Sequence, residues 1–192
     1  MNQRDVIQME QQLKLYCLES IESEQEHRTQ LSVYRDIAHT AIIKKIGGES
    51  IGYDWLTDEA KASLERQAAM YDDWDVDKLY DYRKETIKSI QHSKRTEKFH
   101  RYLHNLDYEN AVKASEKIDE WWVDTMERIQ NVCERNGEIL VLMCNRTDKG
   151  HELHSQSKNE GGLMNIAEQS KESHEERKTL LKCLENIKRF KR

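Results

Sequence analysis

No proline occurs in the 192 residues, and only seven are glycine. At ordinary usage of about 5%, roughly nine or ten prolines would be expected in a chain of this length. Proline lacks the amide hydrogen that a helix interior requires and clashes with the preceding turn. Its absence leaves long uninterrupted helices possible. Four cysteines, Cys17, Cys133, Cys144 and Cys183, lie far apart and form no CxxC pair. That excludes the dense disulfide scaffold of a small secreted domain and the usual paired zinc knuckle. No apolar run approaches the eighteen or so residues of a membrane span, and nothing near Met1 reads as a signal peptide. The expectation is a soluble intracellular protein with reduced thiols.

What is present favours helix. Leu, Glu, Lys, Gln, Arg, Met and Ala, all good helix formers, fill most of the chain. Hydrophobic residues make up 36% and charged residues 35%, with a mean hydropathy of −0.97. That balance suits thin apolar stripes better than one thick core, although it also describes unfolded chains. Four tryptophans, eight tyrosines and apolar residues at helical spacing argue for order. The fold class read from these features is all-α: an elongated helical bundle or coiled coil of about four or five helices, with no sheet.

The spacing predicts a first helix over 3–46. Leu13, Tyr16, Leu31, Tyr34, Ala38 and Ile42 form its stripe. That stripe turns polar in the middle, at Glu24 and at His27 or Arg28, and Gly47-Gly48 ends the helix. Residues 49–57 read as a connector. Thr57 reads as an N-cap, with Asp58 and Glu59 in the first turn of a short helix over 58–71. The acidic run around Trp74 reads as a turn. A third helix spans 76–104, with Leu79, Ile87, Ile90, Phe99 and Leu103 inward, and Asp107 caps the next. The fourth helix is predicted over 107–158 on the stripe Trp122, Met126, Ile129, Cys133, Leu140 and Met143, with Asn136 filling one slot. Asn136-Gly137 followed by an apolar run also fits a turn and strand, but no second strand offers itself for pairing. A break at Gly161-Gly162 divides a bundle over 1–160 from a C-terminal helix over 163–192 with a basic tail. Its last sixteen residues carry seven Lys or Arg against Glu185 alone, on a chain of formal charge −5.

Candidate chemistry is sparse. His100 and His104 share a helix face near His92, without an HExxH pattern or enough ligands for a tetrahedral metal site. Cys144, His151 and His154 make a loose grouping that lacks a second cysteine. No metal and no cofactor is therefore assigned. Arg95-Thr-Glu-Lys-Phe-His100 and Arg146-Thr-Asp-Lys-Gly-His151 each place four residues between arginine and histidine. This spacing resembles the ribonuclease motif of the all-helical HEPN family. The resemblance implies arginine holding phosphate and histidine moving a proton. His104-Asn-Leu-Asp-Tyr-Glu-Asn-Ala111 resembles the inter-helix turn of a tetratricopeptide repeat, but it stands once and such repeats come in arrays.

Trp121 and Trp122 point about 100° apart on a helix, so one seam does not bury both. Trp122 continues the stripe. Trp121 is then either a partner anchor or packed under the 49–57 connector. Together with Leu181, Leu184, Ile187 and Phe190 it forms the candidate partner-binding set. The leading expectation is a non-catalytic helical interaction or scaffold subunit of a multiprotein assembly, acting through coiled-coil-like seams with a protein partner or a second copy. One alternative is the Arg95/His100 or Arg146/His151 ribonuclease. Another is a nucleic-acid or membrane-surface binder through the basic patch Lys188, Arg189, Lys191 and Arg192.

Overall fold

A computed structural model describes residues 2–48, 54–136, 138–147, 150–157 and 160–191, with side chains described for 2–48, 54–128, 130–131 and 166–191. Five helices account for most of the chain: α1 (Gln3–Ile46), α2 (Asp58–Ala68), α3 (Val76–His104), α4 (Tyr108–Asn136) and α5 (Glu160–Phe190). A single 3-10 turn, Ala69–Tyr71, follows α2. Among the described residues the fold is thus an all-α bundle with one exception. Glu138–Thr147 (β1) and Gly150–Ser157 (β2) pair as an antiparallel two-stranded ribbon.

The helix ends follow local chemistry. At the start of α1, Asn2 accepts from the Asp5 amide and Asp5 returns the bond to the Asn2 amide, both at 2.9 Å. Gly47 ends α1 in the left-handed region at φ +69°. Thr57 caps α2 through the Ala60 amide at 3.2 Å, and Asp75 caps α3 through the Lys78 amide at 2.7 Å. The turn from α3 to α4 is a Schellman motif in which the Asp107 amide donates to Tyr102 O at 2.9 Å and the Leu106 amide to Leu103 O at 3.0 Å. Leu106 occupies the left-handed position at φ +57°. Strain there is of order 1 kcal/mol, and the leucine side chain offsets it by packing on the core.

Four long helices run alternately up and down. The contacts Tyr16–His100, Glu24–Ser93 and Ala38–Tyr82 make α1 antiparallel to α3. Glu85–Arg128 and His92–Trp121 do the same for α3 and α4. Ser115–Arg177 and Asp119–His174 orient α4 against α5, while Tyr16–Glu176 and Glu10–Lys191 close α5 back onto α1. The main core lies inside this ring and includes Leu13, Cys17, Phe99, Leu103, Ile118, Trp122, Leu184 and Ile187. A second apolar cluster, Ile37, Ala41, Ile42, Ala68 and Leu79, sits at the far end of α1, where α2 and the Tyr71/Trp74/Tyr82 aromatic group cover it. Between them lies a polar band. Arg28 of α1 pairs with Glu97 of α3, Arg101 reaches the same carboxylate at 2.6 Å, and Ser93 bonds Glu24 at 2.6 Å. The polar interruption at Glu24 and Arg28 is therefore met by a polar stretch on α3.

Several sequence readings need correction. The helix predicted over 107–158 ends at Asn136, and the run that follows is the first strand. The expectation of no sheet fails at this ribbon because the polar segment Gly-His-Glu-Leu-His-Ser-Gln-Ser pairs by backbone bonds, which no apolar alternation announces. α5 begins at Glu160, so the predicted break at Gly161-Gly162 is absent. Ile51 and Tyr53 of the connector lie outside the described residues, as do Gly137 and Arg192; so do the side chains of Ile129, Cys133, Leu140, Met143 and Cys144.

Burial also fixes the state of two thiols. Cys17 of α1 is fully enclosed and its thiol is pushed up to about 12, by burial first and by nearby Cys183 second. Burial also raises the Cys183 thiol of α5.

Leu184 is 0% exposed and Phe190 is 55% exposed. Leu184→Ala should therefore lose roughly 2–5 kcal/mol of stability, whereas Phe190→Ala should change it by less than about 0.5 kcal/mol. Urea unfolding of the two variants measures the difference.

Candidate functional site

The fold takes the predicted site residues apart. Arg95 and His100, five positions along α3, diverge by about 140°. His100 is buried against the rings of Tyr16 and Phe99, on the side of α1. Arg95 faces outward beside α4. The two do not meet at one substrate position. Arg146 and His151 face each other as paired positions of the ribbon, not four residues apart on a helix. Their side chains lie outside the described residues, as does that of His154. His92, His100 and His104 do not converge either: His104 bonds Asn105 at 3.4 Å, while His92 packs on tryptophan. Among the described residues no group of three His, Cys, Asp or Glu side chains is placed to hold a metal.

Trp121 is not a surface anchor. It is 6% exposed, and His92 stacks on it at 3.7 Å between ring centres, with planes 13° apart. Trp122 stands edge-on to both rings. Two adjacent indoles are buried together because α3 supplies a flat imidazole against one of them, an answer that no pattern within the fourth helix reveals. Leu184 and Ile187 are fully buried in the chain's own core, and Leu181 packs against it. Of the α5 partner set only Phe190 is exposed. The basic tail is similarly occupied: Arg189 pairs with Glu185 at 2.6 Å and Lys191 with Glu10. Lys188 stands near Asp107, whose carboxyl is lowered by the Asn110 hydrogen bonds first and by the Lys188 and Lys113 charges after them.

A different surface gathers unpaired charge. Arg95, Lys98 and Tyr102 lie on one face of α3, and Asn110, Lys113, Ala114 and Lys117 on the facing side of α4. Together they line a cavity of about 240 Å3. Four of the seven lining residues are cations and none is a carboxylate. Its concavity follows from residue size: the methyl of Ala114 forms the middle of the α4 wall between two long lysines. Among the described residues none of the four cations makes an ion pair, in contrast to Arg28, Arg128 and Arg177. Lys98 stands over the Tyr102 ring at 5.7 Å. The Asn110 amide is held by Asp107 at 2.7 Å. One turn beyond Arg95 and Lys117 along the two helices lies the His92–Trp121 stack, outside the cavity lining. Sequence reasoning named Arg95 for another role and missed the three lysines, because their grouping depends on two helices turned toward each other. The i, i+4 spacing of Lys113 and Lys117 was the one available signal.

No family model matches the chain, and no curated protein or solved structure is significantly similar to it.

The His92 stack carries a pH dependence. Burial first, then the charges of Arg177 and Arg95, pushes its imidazole down to about 3. The folded state keeps it neutral, whereas an unfolded chain takes up the proton near the ordinary 6.5. Stability is therefore complete above about pH 6.5 and declines as pH falls toward the folded value, by up to about 1.4 kcal/mol per pH unit. His39, lowered by burial first and Arg83 next, adds in the same direction. His92→Phe should remove most of this slope, as read from urea midpoints between about pH 7.5 and about pH 5.

Proposed function

We propose that this chain is a non-catalytic helical interaction subunit that holds an anionic partner along the α3/α4 face. The α3/α4 groove supports the reading. On a chain of net charge −5 the inter-helix arginines Arg28, Arg128 and Arg177 have carboxylate partners. Yet among the described residues none of the four cations on this concave surface makes an ion pair, and Lys113 acts on Asp107 only at longer range. Unpaired like charges repel one another across such a space, so the surface gains free energy when a negative group enters. Of the residues expected to meet a partner helix, Trp121, Leu184 and Ile187 are buried in the chain's own core, which moves the interaction from an apolar stripe to this charged face. Arg95 enters as one of its cations, without the partnership with His100 that nuclease chemistry requires.

Heparin, a sulfated polyanion, provides a direct test. Reversing Arg95 and Lys117 to Glu should weaken its binding about tenfold or more at low salt. Reversing Lys178 and Lys182, on exposed positions of α5, should have a smaller effect. Equal losses would remove the groove from the reading. The non-catalytic part is tested with end-labelled RNA, which should stay intact; cleavage that His100→Ala abolishes would return the chain to the ribonucleases.

A further inference from the structure

We infer that the α3/α4 groove is a binding site for a diphosphate group, free or at the end of a nucleoside. The inference rests on the reading of this face as an anion site and adds the class of ligand. Three observations carry it: charge, length and register.

The groove presents four positive side chains. One phosphate dianion carries a charge of about −1.5 to −2 near neutral pH and leaves half of them uncompensated. Two linked phosphoryl groups come much closer to a match. Length then excludes most of a long polyanion. Arg95 to Tyr102 covers seven residue steps of α3, about 10 Å along the axis. The lining runs from Arg95 and Lys117 at one end to Tyr102 and the Asp107-bound Asn110 at the other. A cavity of about 240 Å3 lies below the roughly 300–1,000 Å3 of sites that enclose a drug-sized molecule. A nucleoside attached to the diphosphate would therefore extend out of the groove.

Register arranges the donors. The contacts Glu85–Arg128 and His92–Trp121 place Arg95 level with Lys117, and Lys98 between Lys113 and Lys117. The cations thus form two successive ranks along the groove, one from each helix in each rank. A guanidinium grips two oxygens of one phosphoryl group as a planar fork, while lysines supply mobile point charges to either group. The Arg95 end therefore receives the terminal phosphoryl group and the Lys98/Lys113 end its neighbour.

The test is calorimetric titration of the full chain at low ionic strength with inorganic pyrophosphate, ADP, inorganic phosphate and a short uridine oligonucleotide. Pyrophosphate and ADP should saturate at one per chain, with inorganic phosphate about tenfold weaker or more. The double variant Lys113→Gln/Lys117→Gln should weaken both by about tenfold or more while leaving the circular dichroism spectrum unchanged; Lys182→Gln should leave binding as it is. ADP binding tighter than pyrophosphate assigns a nucleoside-borne diphosphate, and equal affinities assign the free group. Phosphate binding as tightly as pyrophosphate overturns the inference, and so does pyrophosphate binding that survives the double variant. If only the oligonucleotide binds, and does so through Lys113 and Lys117, the diphosphate assignment falls while the anionic-partner reading stands. If none of the four binds, both fall.

Discussion

The antiparallel contacts of this bundle depend on guanidinium groups, Arg177 buried and Arg28 and Arg128 half-buried, that are satisfied across helix interfaces. Arg28 joins α1 to α3 through Glu97 and Ser93. Arg128 joins α4 to α3 through Glu85 at 3.1 Å. Arg177, only 4% exposed, joins α5 to α4 through Ser115 and Asp119. An apolar stripe alone tolerates sliding by a turn, since leucine and isoleucine pack acceptably in several registers. A buried arginine does not: a slip of one turn strands its charge away from the carboxylate, and an unpaired buried charge is costly. Each interface therefore has one strongly preferred register. That register brings His92 over Trp121 and turns Arg95 and Lys98 toward Lys113 and Lys117.

The remaining architecture follows from the scarcity of apolar residues. There is enough for a four-helix core at one end and a smaller cluster under α2 at the other, with the Glu24–Arg28–Ser93–Glu97 band between. Glu97 illustrates the balance in that band. Burial raises its carboxyl, yet the hydrogen bonds from Arg101 and Arg28 more than offset this and hold it below the usual range. Glu85 shows the opposite outcome: burial raises its carboxyl and the Arg128 charge offsets only part of the rise. The same side-chain type ends differently because two guanidinium groups bind Glu97 and one binds Glu85.

Much of the fold was legible in residue spacing, and the parts that were not share a physical origin. The ends of α1, α2 and α3, the Thr57 cap and the stop at Gly47 are local events, governed by a few neighbouring residues. The polar middle of the first helix was also visible, though its meaning lay in Ser93 and Glu97, some seventy residues away. Trp121 was misread because its partner His92 sits on a different helix. The ribbon was missed because β2 is polar, and its pairing with β1 shifts register between Val141 and Asn145. The groove belongs to neither helix alone: Lys113 and Lys117 look like an ordinary solvated face until α3 is laid beside them. Leu184 and Ile187 were correctly seen as an apolar stripe, but spacing says nothing of whose core a stripe completes.

Cys17 and Cys183 give the molecule a built-in clock for its own opening. Only a thiolate alkylates readily, and a Cys17 thiol pushed up to about 12 is almost wholly protonated at neutral pH as well as sealed by α5. Its modification must wait for an excursion in which α5 lifts from α1. When reclosing outpaces alkylation, the rate of labelling reports the population of that opened form. Because Arg177 and the Leu184/Ile187 stripe hold the same helix, the labelling rate of this one sulfur registers the strength of the whole α4–α5–α1 closure.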